Sequence, residues 1–356
     1  MSPSEQLHQY YITNYTKCNK DDSFLSSWQA LAYFTHSSSA ISIPLFLLGC
    51  YCIIRKTPKA MSQMKWALFN AHMWFGSMDM CLNIGMTPYL FIPIPGGFPV
   101  GIFSLFGVPT PVQVYLVFVN LYSGFISITI LFENRYNNMP MNKYAIKRAT
   151  TKVIYRGVRF IISLFLQVPL FYVAPDQDVA KLESLQFVPC PTEIYFHTEI
   201  YIWATDRTII INAVLIFFFS LLVEFAQIAF FVGSCIYYLF FNLTGNMSQK
   251  TRQMQRKWLI NTVIQVSVPF VLGLSPFMVL MYMTFTGRYN QAVINSAIFI
   301  TSFHNSIATI TMLSIFKPYS EFLQQVICRR NYLSSLIHRR RAEATISHVV
   351  PIVALH

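Results

Sequence analysis

Residues 208–241 read TIIINAVLIFFFSLLVEFAQIAFFVGSCIYYLFF, thirty-four residues that include a single charge, Glu224. A bilayer core about 30 Å thick needs about 20 apolar helical residues at a rise of about 1.5 Å each. A run of this length suits a membrane span and has no place in a water-soluble globule. The rest of the chain agrees. Of 356 residues, 54% are hydrophobic and only 11% are charged, against about 25% charged in an ordinary soluble domain. Mean hydropathy is +0.45. Composition therefore excludes a soluble enzyme, a disordered chain and a collagen-like fibre.

Working outward from that run, the same criterion gives seven spans: Gln29–Ile54, Trp66–Thr87, Val112–Phe132, Tyr155–Ala174, Thr208–Phe241, Leu259–Phe285 and Val293–Ile315. The fourth is the least apolar. Arg156 and Arg159 stand in its first turn and are expected to snorkel to the headgroups. Between Pro88 and Pro111 lies an uncharged stretch with six prolines and four glycines. Proline lacks an N–H, and lipid offers nothing to compensate the broken ladder. This stretch reads as a folded extracellular cap or a shallow re-entrant turn rather than a span.

Charge sets orientation. The segments after spans one, three, five and seven hold 21 of the 26 Lys and Arg residues. Basic residues collect on the cytoplasmic side, so the N-terminus is expected outside and the C-terminus inside. The net charge of +12 then reflects helix flanks at the inner leaflet of the bilayer, and no nucleic-acid partner is needed to explain it. Residues 1–28 lack the apolar core of a cleavable signal peptide, so the first span is expected to act as its own targeting signal.

Of seven cysteines, only Cys18 and Cys190 fall outside the membrane on the extracellular side. A disulfide between them is the leading reading, with two free thiols as the alternative. Asn14-Tyr15-Thr16 is a glycosylation sequon on the same side. No His, Cys or carboxylate spacing suggests a metal: the eight His residues form neither HxxxH nor HExxH. The expectation is no enzyme activity, no metal and no cofactor.

Several residues carry chemistry. Phe132-Glu133-Asn134-Arg135 closes the third span at its cytoplasmic end. Glu133 and Arg135 read either as a local ion pair that breaks when helices part, freeing Arg135 for a partner, or as ordinary basic flanking. Asp79 lies mid-span, where a charge is costly unless paired or hydrated. It would help hold a sodium ion or water cluster, or serve as a hydrogen-bonded packing residue. Glu224, His304 and Asn305 are further polar intrusions, best read as interhelical hydrogen bonds. Pro44, Pro269 and Pro276 are potential kinks. Pro269, Gly273 and Pro276 make the sixth span a candidate hinge, with local packing as the alternative.

Seven spans, an outside N-terminus and basic inner loops are the architecture of a G-protein-coupled receptor. Motifs sharpen this. Thr57-Pro58-Lys59-Ala60-Met61 and Lys65-Trp66 fill the first inner loop, and the second span carries His72-x-Trp74 and Asp79. Pro88-Tyr89-x-Phe91-x-Pro93, Gly97-x-Pro99-x-Gly101, Phe132-Glu133-Asn134-Arg135, Pro189-Cys190-Pro191 and Lys317-Pro318-Tyr319 follow in order. From about Cys18 to Tyr319 the chain resembles the nematode serpentine receptor class H family of chemoreceptors. Ser320 departs from the arginine expected there in relatives. The resemblance implies a receptor in the plasma membrane of sensory neurons, in their cilia, coupled to a heterotrimeric G protein. It also implies a small-molecule ligand, an odorant or secreted metabolite, bound between the outer halves of spans three, five, six and seven.

Beyond the seventh span, Phe322, Leu323, Val326, Ile327, Leu333, Leu336 and Ile337 recur at helical spacing. They predict a basic amphipathic helix on the inner leaflet of the lipid bilayer. Cys328 in that helix reads as a palmitoylation site or an idle thiol. The organisation is thus an extracellular segment (1–28), an all-α seven-helix transmembrane domain (29–315), and a cytoplasmic helix and tail (316–356). The competing class is a polytopic ion channel or transporter. A transporter would need inverted repeats with broken helices, and no internal repeat is visible.

Overall fold

The computed structural model describes residues 1–19, 23–139, 142–166, 168, 174–242, 247–326 and 328. Seven long helices pack into one bundle. The first spans Trp28–Tyr51 and is extended by a wider turn, Cys52–Lys56; the second spans Ser62–Met80 and is extended by Cys81–Gly85. The third is Thr110–Asn137, the fourth Ala149–Leu166, and the fifth Arg207–Ile236 extended by Tyr237–Phe241. The sixth is Gln249–Thr286, and the seventh comes in two pieces, Gln291–Thr301 and His304–Ile315. Four of these helices start with a side-chain cap. Ser27 accepts from the Ala30 amide, Asp206 from Thr208 and Ile209, Ser248 from Thr251, and Asn290 from Val293. Each cap satisfies amides that the first helical turn leaves orphaned.

The first, third, fifth, sixth and seventh helices are long and apolar enough to cross a membrane. The second and fourth are shorter of apolar residues, and their polar side chains turn inward. In the second, His72, Asp79 and Asn83 are buried. The fourth is inside-out relative to a soluble helix: Arg159 and Ser163 are buried, while Val153, Ile154, Ile162 and Phe165 are exposed.

Three expectations need correction here. The fourth helix begins at Ala149, six residues before the predicted Tyr155, and is no longer helical at Ala174. Residues 167 and 169–173, part of the predicted span, lie outside the described residues. The sixth helix starts at Gln249 rather than Leu259, because a polar segment continues the helix beyond the apolar run. The seventh breaks at Ser302-Phe303, which hydropathy does not register. The sixth helix stays helical through Pro269, Gly273 and Pro276.

The proline-rich stretch folds as a cap, not a span. Pro88–Leu90 (β1) pairs antiparallel with Gly96–Pro99 (β2), and β2 pairs with Tyr201–Ile202 (β3). The Ile92–Pro93 peptide is cis. This small sheet is an addition to the all-α reading. Gly97 lies where the strands approach most closely: a Cβ there would sit 2.2 Å from the Tyr89 carbonyl oxygen. Tyr89, Phe91, Tyr195 and Ile202 are fully buried in one cluster with Leu31, Met283 and Ile298, so the cap is packed onto spans one, six and seven.

An N-terminal helix, Pro3–Thr13, lies against the long loop between spans four and five. Tyr10 donates to the Pro189 carbonyl (3.0 Å) and Tyr11 to Glu193 (2.7 Å), a bond that raises the Tyr11 pKa. The structure joins Cys18 to Cys190, with Cα atoms 5.6 Å apart. Asn14 is exposed beside this contact. Within the loop, Lys181 donates to the Thr198 carbonyl at 2.9 Å. Burial pulls its pKa down, against Asp178 and Glu199, which raise it.

At the opposite end, where the basic segments collect, helical residues 317–326 fold back on the bundle. Tyr319 and Thr57 share a hydrogen bond of 2.7 Å. Phe322 packs at a tilt against Tyr51, and Lys56 Nζ sits 4.2 Å from the centre of the Phe322 ring. Cys328 is exposed. Ile327, Leu333, Leu336, Ile337 and the 342–356 tail fall outside the described residues.

Two outcomes test this fold. Peptide mapping without reduction should recover Cys18 linked to Cys190, and Cys190→Ser should cost about 2–4 kcal/mol of stability; two free thiols would refute it. Gly97→Ala should destabilise the fold by about 1–3 kcal/mol of overpacking and so lower the melting temperature, whereas Gly273→Ala, with open space around its Cβ, should not.

Candidate functional site

Two sites converge inside the bundle. The first is at the basic end of span three. Successive helical residues are rotated by about 100°, so neighbours in sequence face different helices. Asn134 donates to the Gln63 carbonyl at the start of the second span, at 2.7 Å. Glu133 is fully buried and faces the fourth span. One oxygen accepts from Asn137 (2.6 Å), the other from the Arg156 Nε (2.7 Å). Arg135, 2% exposed, reaches the sixth span: Nη1 to the Gln255 carbonyl (3.3 Å), Nη2 to the Thr262 hydroxyl (3.2 Å). Its Nη2 also lies 2.8 Å from the Met64 sulfur.

This corrects the expected Glu133–Arg135 ion pair. Residues two apart on a helix do not face one another, and the carboxylate takes Arg156 instead. It also corrects the reading of Arg156 and Arg159 as snorkelling flanks. Arg159 pairs with Glu224 of the fifth span, and Thr129 of the third donates to the same carboxylate oxygen at 3.0 Å. The signal for this was present in sequence: Arg156, Arg159 and Ser163 recur at three- and four-residue spacing, opposite an apolar face.

The second site surrounds Asp79. Asn83 donates to Asp79 Oδ1 and to the Ser302 carbonyl, both at 3.1 Å. That carbonyl belongs to the break in the seventh helix. His304 Nδ1 donates to the Thr301 carbonyl at 2.7 Å and lies 4.0 Å from Asp79 Oδ1. Asn305 is also buried here. Asn83 Oδ1, Asn305 Nδ2 and Thr309 Oγ1 are buried polar atoms lacking a hydrogen-bond partner among the described residues. Such atoms suit ordered water. No group of three or more His, Cys, Asp or Glu side chains that could hold a metal occurs among the described residues.

Between the sixth and seventh spans, in the half nearer the cap, lies a groove of about 400 Å³ lined by Ser275, Pro276, Val279, Val293 and Ser296. It is mostly apolar with a few hydroxyls and opens to the outer surface of the bundle, where Val279 and Val293 are exposed.

Comparison with known proteins agrees with this architecture. In fold, the chain is similar to squid rhodopsin, with a TM-score of 0.52 over 88% of this chain and 89% of that one, at 11% identity. In sequence, it is 29% identical over 325 residues to serpentine receptor class H-72 of Caenorhabditis elegans, covering 91% of this chain and 93% of the relative. Residues 26–329 match the family model described as serpentine type 7TM GPCR chemoreceptor Srh. The chain belongs to the Srh family of seven-transmembrane serpentine chemoreceptors.

Proposed function

We propose that this receptor binds a small molecule, an odorant or secreted metabolite, and passes the signal to a heterotrimeric G protein. The cap and N-terminus face outward, the basic end faces the cytoplasm, and the protein works at the plasma membrane of sensory cilia. The split of Lys and Arg between the two ends supports this orientation.

Arg135 carries the coupling reading. It is a buried cation bound to the sixth span through one backbone carbonyl and one hydroxyl, with no carboxylate among the contacts described above. Neutral acceptors hold a guanidinium less firmly than a carboxylate does. Parting of spans three and six would release Arg135 toward a docking partner. Glu133 is the second element of the switch, and its restraint acts on the fourth span through Arg156. A ligand shifts this balance only by its differential affinity for the two states. The groove between spans six and seven borders the candidate hinge at Gly273 and Pro276, so occupancy there would bias the same helix. Asn14 would carry a glycan, and Cys328 an acyl chain against the inner leaflet. Asp79, with His304 and Asn305, would form a hydrated polar network that settles with the broken seventh helix.

Two experiments decide these points. An epitope tag at the N-terminus should be accessible on intact cells, and one at the C-terminus only after permeabilisation; the reverse pattern would sink the orientation. Arg135→Ala should lower G-protein nucleotide exchange by about tenfold, within the range of coupling energies of about 1–3 kcal/mol, at unchanged surface expression. Glu133→Gln should raise basal exchange. Two well-expressed variants that signal like the wild type would remove both residues from the coupling site.

A further inference from the structure

We propose that Arg159, Glu224 and Thr129 form a latch at mid-depth in the bundle that holds the fifth span against the third and fourth in the resting receptor and opens on activation. It rests on the receptor reading above and assigns a role to a pair that reading does not use.

Glu224 lies near the middle of the fifth helix, Arg207–Ile236, among apolar residues on both sides. Its side chain is 13% exposed and that of Arg159 is 9% exposed, so both are withdrawn from headgroups and from lipid. An ionisable residue at this depth is expensive unless paired, and such residues mark function more often than scaffolding. A buried pair adds little stability over a well-packed apolar pair, yet removing one partner leaves an uncompensated charge. The pair is therefore poorly explained as structural glue and well suited to a two-state contact.

The neighbouring contacts point the same way. Toward the basic end, Tyr155 donates to Gln227 at 3.0 Å. Toward the cap, Tyr122 and Ser220 share a hydrogen bond. The seam joining the fifth span to the third and fourth is thus held by directional polar bonds at three successive levels. The fifth span meets the sixth through rings, Phe225 against Phe270 and Phe217 and Phe218 against Phe277, at centroid separations of 5.1–6.2 Å, and through Arg256, which donates to the Leu239 carbonyl at 2.9 Å. It meets the third through rings as well, Phe225 against Phe125 and Phe217 against Phe118. The polar bonds at mid-depth join the fifth span to the third and fourth, and their opening is what would free it to move. Arg159 Nη1 is buried without a hydrogen-bond partner among the described residues, so the guanidinium keeps a donor in reserve for a second acceptor when Glu224 moves away.

The test uses the full-length receptor in lipid nanodiscs with a heterotrimeric G protein. Three variants are compared with the wild type: Glu224→Gln, Arg159→Gln, and the exchanged pair Arg159→Glu with Glu224→Arg. Spin labels at Ile162 and Phe230, both exposed on the surface of the bundle, report the distance between spans four and five. The background carries Ser at Cys50 and Cys328. Each single variant should widen that distance distribution and raise ligand-independent nucleotide exchange by about fivefold or more. The exchanged pair should return both readouts toward the wild type. Unchanged distances in the single variants overturn the latch. An exchanged pair that behaves like the single variants also overturns it, because the effect would then be local damage rather than loss of the pair. Widening in the single variants without exchange in any variant or in the wild type overturns the receptor reading, and the latch's signalling role with it.

Discussion

The Glu133 carboxylate has no contact with solvent, and much of the bundle follows from that. In water a carboxylate is hydrated for nothing; inside an apolar bundle it must be paired or neutralised. Here it takes Arg156, which fixes the facing of the fourth span. Once Arg156 points inward, Arg159 three residues on also points inward and meets Glu224. The apolar residues Val153, Ile154, Ile161, Ile162 and Phe165 are then left on the outer face. The least apolar span therefore crosses with its polar stripe inward and its greasy stripe in lipid, although its composition alone reads as marginal.

The cap meets the same constraint by another route. Proline in Pro88–Pro111 forbids a spanning helix, but the backbone groups there still need partners. They find them in three short strands whose pairing joins two distant loops: Gly96 and Gly97 lie opposite Ile202 and Tyr201. Gln177 closes the edge, accepting from the Ile202 amide at 2.7 Å and donating to its carbonyl at 3.2 Å. Gln291 of the seventh span donates to the Leu90 carbonyl at 3.0 Å. The sheet is thus tied to the bundle by hydrogen bonds as well as by buried aromatic rings.

Hydropathy and charge made the number of spans and the non-spanning cap legible, because each rests on local composition and an apolar run such as 208–241 permits one reading. The family was legible only through the ordered motifs from Thr57 to Tyr319. Partner choice was not legible. Glu133 and Arg135 look like a pair because they are close in sequence, and helical rotation separates them. Arg156 and Arg159 look like flanks because the positive-inside pattern counts charge without asking which way it faces. The pairing of β2 with β3 is long-range and leaves no periodic trace. The sixth helix extends beyond its apolar run because Ser248 caps a polar helical segment that a membrane criterion ignores.

The break in the seventh span shows how a local irregularity becomes a site. A continuous helix would consume the Ser302 carbonyl in its own ladder. At the break that carbonyl is released, and Asn83 of the second span takes it. The same Asn83 amide donates to Asp79, so backbone geometry in one helix is linked to a carboxylate in another through a single side chain. Straightening the seventh helix would withdraw the acceptor and leave Asn83 to Asp79 alone. Tightening the break would hold the second and seventh spans together. Irregular backbone at membrane depth survives only where protein or water satisfies it, and here the polar side chains of the Asp79 site supply that satisfaction. The break and the buried acid therefore share one side chain, and Asn83 is the link between them.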